Sequence, residues 1–323
     1  MLKKLFATVL MSFSAAAIAV PFGSQSVLVV EDDTGKILLE KNADRVVPIA
    51  SLTKLMTAMI VLDARQDLDE LIEIDRSDVD TVKHSSSRVP VGALISRRDV
   101  LQLALMSSDN RAAAALARTY PGGKEGFKAA VRRKTAALGM TQTVIEEPTG
   151  LNPRNRSTAG DLVKMASASS RYPEITNMTT ESKDLINING REVEYRNTNR
   201  LVGAKGWDIG LSKTGYIQEA GRCLIMNIKA GGKNATMVLL NASASSARIL
   251  DALNVRRFIT GEEAPIIARA SNRAPRFKAG SSRASIKASA SRARIKASAG
   301  NSKVKAVKKR AKVVKVTPKR RKK

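Results

Sequence analysis

The first apolar runs of the chain are short. Residues 26–31 (SVLVVE) and 36–40 (KILLE) flank Asp32-Asp33-Thr34-Gly35, which is turn chemistry, and together they predict a β-hairpin. The period then changes. Leu55, Met59 and Leu62 recur at helical spacing, and no Gly or Pro interrupts residues 55–66, so a helix is expected there. A short strand is expected at 71–74. Ser96-Arg97-Arg98-Asp99 is a capping pattern ahead of a helix that runs to Ser107-Ser108-Asp109-Asn110. An alanine-rich helix continues to about Thr119 and breaks at Pro121-Gly122-Gly123. A third helix covers 124–138, with Gly139 as its C-cap. Thr158 to Asp161 caps one more, to about Ser169.

Beyond that point the pattern turns to strands. Residues 184–188 and 191–195 flank Asn189-Gly190, the strongest two-residue hairpin signal. Three further strands are expected at 210–217, 222–230 and 235–241, followed by a closing helix at 245–258. Strands at both ends with helices between them predict an α+β fold. In it one antiparallel sheet pairs its first strands with its last, and an all-helical region covers it. The 43% apolar content supports a substantial core.

Charge divides the chain differently. The formal net charge is +27, yet residues 264–323 hold 21 Lys and Arg and no Asp or Glu, so the remainder is only mildly basic. That basic segment is Ala, Ser, Lys and Arg with a nine-residue repeat (RASIKASAS, RARIKASAG), a composition too poor in apolar surface to offset ordering entropy, and it reads as a disordered tail. At the other end, Lys3 and Lys4 precede an uncharged apolar run from Leu5 to Val20 that includes Ala17-Ile18-Ala19, a small-x-small cleavage pattern. The run is short for a span of about 20 apolar residues, so it reads as a cleaved export signal, with a retained anchor as the alternative. The organisation is therefore a signal peptide over 1–19, a domain over 20–263 and a basic tail over 264–323, in a periplasmic protein. A single cysteine, Cys223, excludes an intrachain disulfide and is expected in the core. His84 is the only histidine, so neither a Ser-His-Asp triad nor a histidine-rich metal site can be assembled. It is expected in a surface loop.

The candidate chemistry begins at Ser51-Leu52-Thr53-Lys54. A lysine three residues after a serine lies on the same helix face and can take its proton, while the helix N-terminus favours developing negative charge. Alone the pattern is weak. It recurs at Ser302 and Lys305 in the tail, and an N-cap serine followed by a solvated lysine accounts for it. Two further short motifs follow in order: Ser108-Asp109-Asn110 between helices, and Lys213-Thr214-Gly215 on a strand. S-x-x-K, S-D-N and K-T-G in that order and context are a strong signal.

The set, with the stretches SLTKLMTAMIVLDA, RRDVLQLALMSSDNRAAAALARTYPGG, EPTGLN, NTNRLV and SKTGYIQEAGRCL, resembles the low-molecular-mass penicillin-binding proteins. Among them it is most similar to the D-alanyl-D-alanine endopeptidases of the penicillin-binding protein 7 type. The likeness covers roughly residues 25–260 and not the tail. It implies a β-lactamase/transpeptidase-like fold and an acyl-enzyme on Ser51, without a metal or cofactor. Lys54 would be the proton acceptor and Ser108 a relay to the leaving amine. Asn110 would hold the substrate amide, Lys213 and Thr214 a carboxylate. Gly215 would let the substrate backbone approach, and the N–H groups of Ser51 and Tyr216 would form the oxyanion hole. A lysine must lose about three pKa units, roughly 4 kcal/mol, to act as a base near pH 7, which burial and the nearby Lys213 cation could supply. Glu147-Pro148-Thr149-Gly150-Leu151-Asn152 is one residue longer than the E-x-x-L-N loop with which β-lactamases deacylate, which implies a peptidase inhibited by β-lactam antibiotics. The substrate would be peptidoglycan stem peptides. A carboxypeptidase trimming pentapeptides and an endopeptidase cutting cross-links present the same carboxylate, so the motifs leave both open, with a non-catalytic basic binding protein as the other class. For the tail the readings are a solvated extension, attraction to anionic envelope polymers or a membrane surface, and nucleic-acid binding. The export signal and the lack of stacking aromatics speak against the last.

Overall fold

The computed structural model describes residues 22–262. The expected signal peptide and the basic tail, including its repeat, lie outside them. The described chain opens with strands β1 (Ser26–Glu31), β2 (Ile37–Lys41) and β3 (Val47–Pro48), a 3-10 turn over Ala50–Leu52, helix α1 (Thr53–Asp63), and strands β4 (Leu71–Glu73) and β5 (Leu94–Ser96). Helices α2 (Arg97–Leu105), α3 (Asn110–Arg118) and α4 (Gly123–Ala137) follow, then β6 (Arg156–Ser157), α5 (Ala159–Ser169) and α6 (Pro173–Thr180). The hairpin β7 (Lys183–Ile188) and β8 (Arg191–Arg196) leads to the long strands β9 (Ile209–Ile217), β10 (Gly221–Ala230) and β11 (Lys233–Ala242), and α7 (Ser245–Thr260) closes the domain.

The two ends of the chain meet as expected. One five-stranded antiparallel sheet has the order β2-β1-β11-β10-β9, with Leu28 opposite Val238. Both of its faces are buried, which is why its strands read as near-continuous apolar runs rather than alternating ones. Val27, Val29, Leu224, Met226, Met237 and Leu239 pack under α7, while Leu28, Ile225, Val238 and Leu240 face the helical region. Cys223 joins the latter face, and burial pushes its thiol up to about 11.

Three features differ from expectation. The β7–β8 hairpin, with Asn189 and Gly190 both at positive φ as a type I′ turn requires, forms its own two-stranded ladder outside the main sheet. Helix α6 was not expected, although Pro173 at its first turn is a start signal. Helix α1 spans Thr53–Asp63 rather than 55–66. Nine of its eleven residues are buried, which makes it a central helix with no solvent face, and Arg65 at φ +50° turns the chain away two residues after its end.

Candidate active site

Ser51 lies in the 3-10 turn immediately before α1, so α1 carries Lys54 on its first turn. The turn is held from two sides. Val47 and Pro48 pair with Ser157 and Arg156, and the Ile49 amide donates to the Asn155 carbonyl. Ala50, next to the serine, is at φ +48°, a conformation that costs a non-glycine residue energy and persists only where its surroundings impose it. Gly150 accommodates this turn: it sits at φ +87° so close to the Ala50 carbonyl that no Cβ fits.

Lys54 is 1% exposed. Its Nζ lies 2.9 Å from Ser51 Oγ and donates to Asn110 Oδ1 at 2.7 Å and to the Thr149 carbonyl at 2.8 Å. Burial lowers its pKa from 10.5 to about 8, with the carboxylates of Glu147 and Asp109 pulling the other way. Asp109 is the N-cap of α3, accepting from the Ala112 amide at 2.9 Å and from Ser87 Oγ at 2.7 Å. That cap points Asn110 toward Lys54, and Asn110 Nδ2 donates to Ser85 Oγ at 2.9 Å.

Ser108 is at φ +60°. Its Oγ accepts from Lys213 Nζ at 2.8 Å, and Lys213, on β9 and 1% exposed, also reaches the Thr214 carbonyl at 3.1 Å. Burial lowers Lys213 well below 10.5, and the Lys54 and Arg248 cations push it further down. Strand alternation turns Lys213 and Gly215 to one face. A Cβ on Gly215 would stand 3.0 Å from the Ile49 carbonyl and 3.1 Å from the Ser51 amide, so this glycine makes room for the turn that carries Ser51. Thr214 shares a hydrogen bond with Thr198 at 2.7 Å. Tyr216 is 50% exposed, with the Arg222 guanidinium 3.6 Å above its ring. β9 is the edge strand of the sheet.

The three motifs of the sequence are thus assembled in one cleft. One expectation changes in detail: the cause of the low Lys54 pKa is burial, and the neighbouring-cation effect falls on Lys213 instead. Gly215 also packs against the Ser51 turn, a contact the sequence did not indicate. Several supporting residues had no role assigned from sequence. Glu147 accepts at Oε2 from the Thr149 amide and hydroxyl (2.7 and 2.6 Å) and at Oε1 from the amides of Gly150 (2.7 Å) and Asn152 (3.3 Å). Buried Asn155 ties it to α1, donating to Glu147 Oε1 and Thr53 Oγ1 at 3.1 Å each. Thr149 and Thr198 stand inside the stretches EPTGLN and NTNRLV, a signal that was visible, whereas Asn155 carries none. His84 is exposed in a loop, as expected.

A family model described as D-alanyl-D-alanine carboxypeptidase, peptidase family S11, matches residues 13–244. The chain is 46% identical over 250 residues to a protein named D-alanyl-D-alanine endopeptidase from Pseudomonas aeruginosa, covering 76% of this chain and 81% of that one. Its fold is similar to that of a mutant of the Streptomyces K15 DD-transpeptidase, with a TM-score of 0.70 at 26% identity over 75% of this chain and 99% of that one. Penicillin-binding protein D2 from Listeria monocytogenes, in its ampicillin-bound form, matches with a TM-score of 0.65 at 28% identity over 74% and 98%.

Proposed function

Because the chain belongs to the D-alanyl-D-alanine carboxypeptidase family of serine peptidases, we propose that it is a D-alanyl-D-alanine endopeptidase that cuts peptidoglycan cross-links through an acyl-enzyme on Ser51. The observation that carries the chemistry is the 2.9 Å approach of a buried, pKa-lowered Lys54 to Ser51 Oγ. Neutral Lys54 takes the proton as Oγ attacks the D-Ala carbonyl. The oxyanion is held by the backbone N–H groups of Ser51 and Tyr216, each worth about 3–4 kcal/mol in such sites. Ser108, bonded to Lys213, passes a proton to the departing amine, and water then hydrolyses the ester. Asn110 holds the acyl-side amide. Lys213 and Thr214 bind the carboxylate beside the scissile nitrogen. As an edge strand of the sheet, β9 would accept the substrate backbone as an added strand.

The fold and the family fit covalent inhibition by β-lactams, which would acylate the same serine. Glu147 supports inhibition rather than hydrolysis: both of its oxygens are committed to the loop, so it is not free to activate a deacylating water. The resemblance to an endopeptidase favours cross-links over pentapeptides as substrate. The export signal of residues 1–19 supports a periplasmic location for the domain of 20–263, and the basic tail of 264–323 would hold it at anionic envelope polymers by charge. Release from envelope fractions should then rise with salt; salt-insensitive fractionation would remove that role.

The test of the activity is a mixture of pentapeptide monomers and tetrapeptide dimers incubated with the mature protein and read by mass. Dimers falling to monomers are expected. Loss of one D-Ala from the pentapeptide alone would make it a carboxypeptidase. If neither changes while penicillin labels Ser51, the substrate assignment is wrong.

A further inference from the structure

Two cavities leave the catalytic cleft on different sides. One, of about 370 Å³, begins at Asn110 and Thr149 and runs between α3, α4 and the loop that carries Glu147. The other, of about 590 Å³, begins at Ser108 and Asp109 and runs to β8, where Arg88, Glu194, Tyr195 and Arg196 line it. Its far wall is cationic. Arg88 lies 4.0 Å above the Tyr195 ring and donates to the Glu194 carbonyl at 2.9 Å, which fixes its guanidinium. Arg196 is held by Glu194 at 2.6 Å with a side chain 72% exposed, and Lys183 reaches the same carboxylate at 3.4 Å. The Glu194 carboxylate therefore meets two cations, Arg196 and Lys183, and leaves Arg88 without a carboxylate partner among the described residues, while Asp109 at the near end is occupied as a helix cap. The Tyr195 hydroxyl in this wall is buried without a hydrogen-bond partner.

Resting on the peptidase reading above, we propose that the groove between Ser108 and Arg196 receives the acceptor stem peptide of a cross-link, the acidic peptide that departs with the amine. The side follows from the chemistry. Ser108 is the group assigned to the departing amine, and the groove starts at Ser108. Asn110, assigned to the acyl half, opens the other cavity. The charge follows too. An acceptor stem carries carboxylates beyond the scissile bond, and Arg88 and Arg196 offer guanidinium donors suited to them. A carboxypeptidase releases only D-alanine, which has no peptide beyond its own carboxylate and does not extend along the groove. The groove is thus a specificity element for cross-links that leaves acylation by substrates without an acceptor peptide unchanged.

The test compares the full chain with Arg196→Glu, Arg88→Gln and the double variant, on tetrapeptide dimers, on pentapeptide monomers and with a labelled penicillin. Losing or reversing a charge that meets a carboxylate should raise KM for the dimer about tenfold, with kcat, D-Ala release and penicillin acylation unchanged. The KM for the dimer should also rise with salt more steeply than that for the pentapeptide. A parallel fall in dimer cleavage and penicillin acylation would make the arginines structural and overturn the assignment, as would dimer cleavage that does not change. The peptidase reading is tested separately. If the wild type labels with penicillin but leaves dimers intact, that reading falls. The groove then stands only if free tetrapeptide slows penicillin acylation of the wild type and not of the double variant, and falls if it does not.

Discussion

Lys54 and Lys213 occupy one cleft and are equally buried, yet they keep opposite company. Lys54 has three oxygen partners and two carboxylates, Glu147 and Asp109, in its field. Lys213 has one hydroxyl, one carbonyl and two cations, Lys54 and Arg248. Burial lowers both pKa values. Only Lys54 has negative charge to set a floor, at about 8, close to where a general base works best. Lys213 has no such floor; in the proposed reaction the substrate would bring its own carboxylate, which then favours the ammonium form. The helical side of the cleft is thus poised before substrate arrives, and the strand side is completed by it.

The strongest way to break this division is at Ser51, the proposed nucleophile that lies between both sides. Ser51→Ala should abolish penicillin labelling and lower turnover by about 10^4 to 10^6-fold; residual labelling would relocate the nucleophile. Next come the two lysines. Lys54→Gln should lower kcat by about 10^2 to 10^4-fold. In the wild type kcat/KM should rise with pH to a plateau above about 8, as Lys54 becomes neutral, and this limb should vanish in the variant. Lys213→Gln should instead raise KM for carboxylate-bearing substrates and keep the limb. Identical pH profiles for the two variants would erase the distinction between them.

Stability should report the same asymmetry more weakly. A Lys54 held near 8 in the fold and at 10.5 when unfolded means that the unfolded chain binds more protons between those values. Stability should therefore rise with pH across that window by about 3 kcal/mol, and be flat in that term outside it. Denaturant midpoints of wild type and Lys54→Met between pH 7.5 and 10.5 would show it. A wild-type curve parallel to the variant's contradicts a buried, lowered Lys54.

The sequence revealed the two sides unequally. Ser51, Lys54, Ser108, Asn110, Lys213 and Thr214 were legible because each belongs to a short motif on a recognisable element, and the pairing of β1 with β11 followed from apolar runs at both chain ends. What sets the lysines apart was not. The stretch from Glu147 to Asn152 was visible as a motif, but the meeting of its Thr149 carbonyl and Glu147 charge with Lys54 was not, and Asn155, which acts through one buried side chain, leaves no periodic or motif-sized trace. Gly215 was legible as a glycine of the K-T-G motif, but its contact with the Ser51 turn was not, because the Ile49 carbonyl that crowds it is brought near only by tertiary folding. The separate β7–β8 ladder was misplaced for the same reason: Asn189-Gly190 specifies a hairpin and says nothing of the sheet it joins.

The finest probe of the comparison is Glu147→Gln, which keeps the shape and removes the charge. Two consequences have opposite sign. One acceptor oxygen becomes a donor facing the Thr149 or Gly150 amide, so the loop should lose about 1–3 kcal/mol. At the same time the carboxylate that raises Lys54 is gone, so its pKa should fall below 8 and the rising limb of kcat/KM should move to lower pH. The variant should thus be less stable, yet relatively more active on the acid side once normalised to its own plateau. A limb that stays in place would show that Asp109 alone sets the floor. A limb that moves to higher pH would show that Glu147 acts on Lys54 through the Thr149 carbonyl it positions, not through its charge. The contrast between the lysines would then rest on geometry instead of electrostatics.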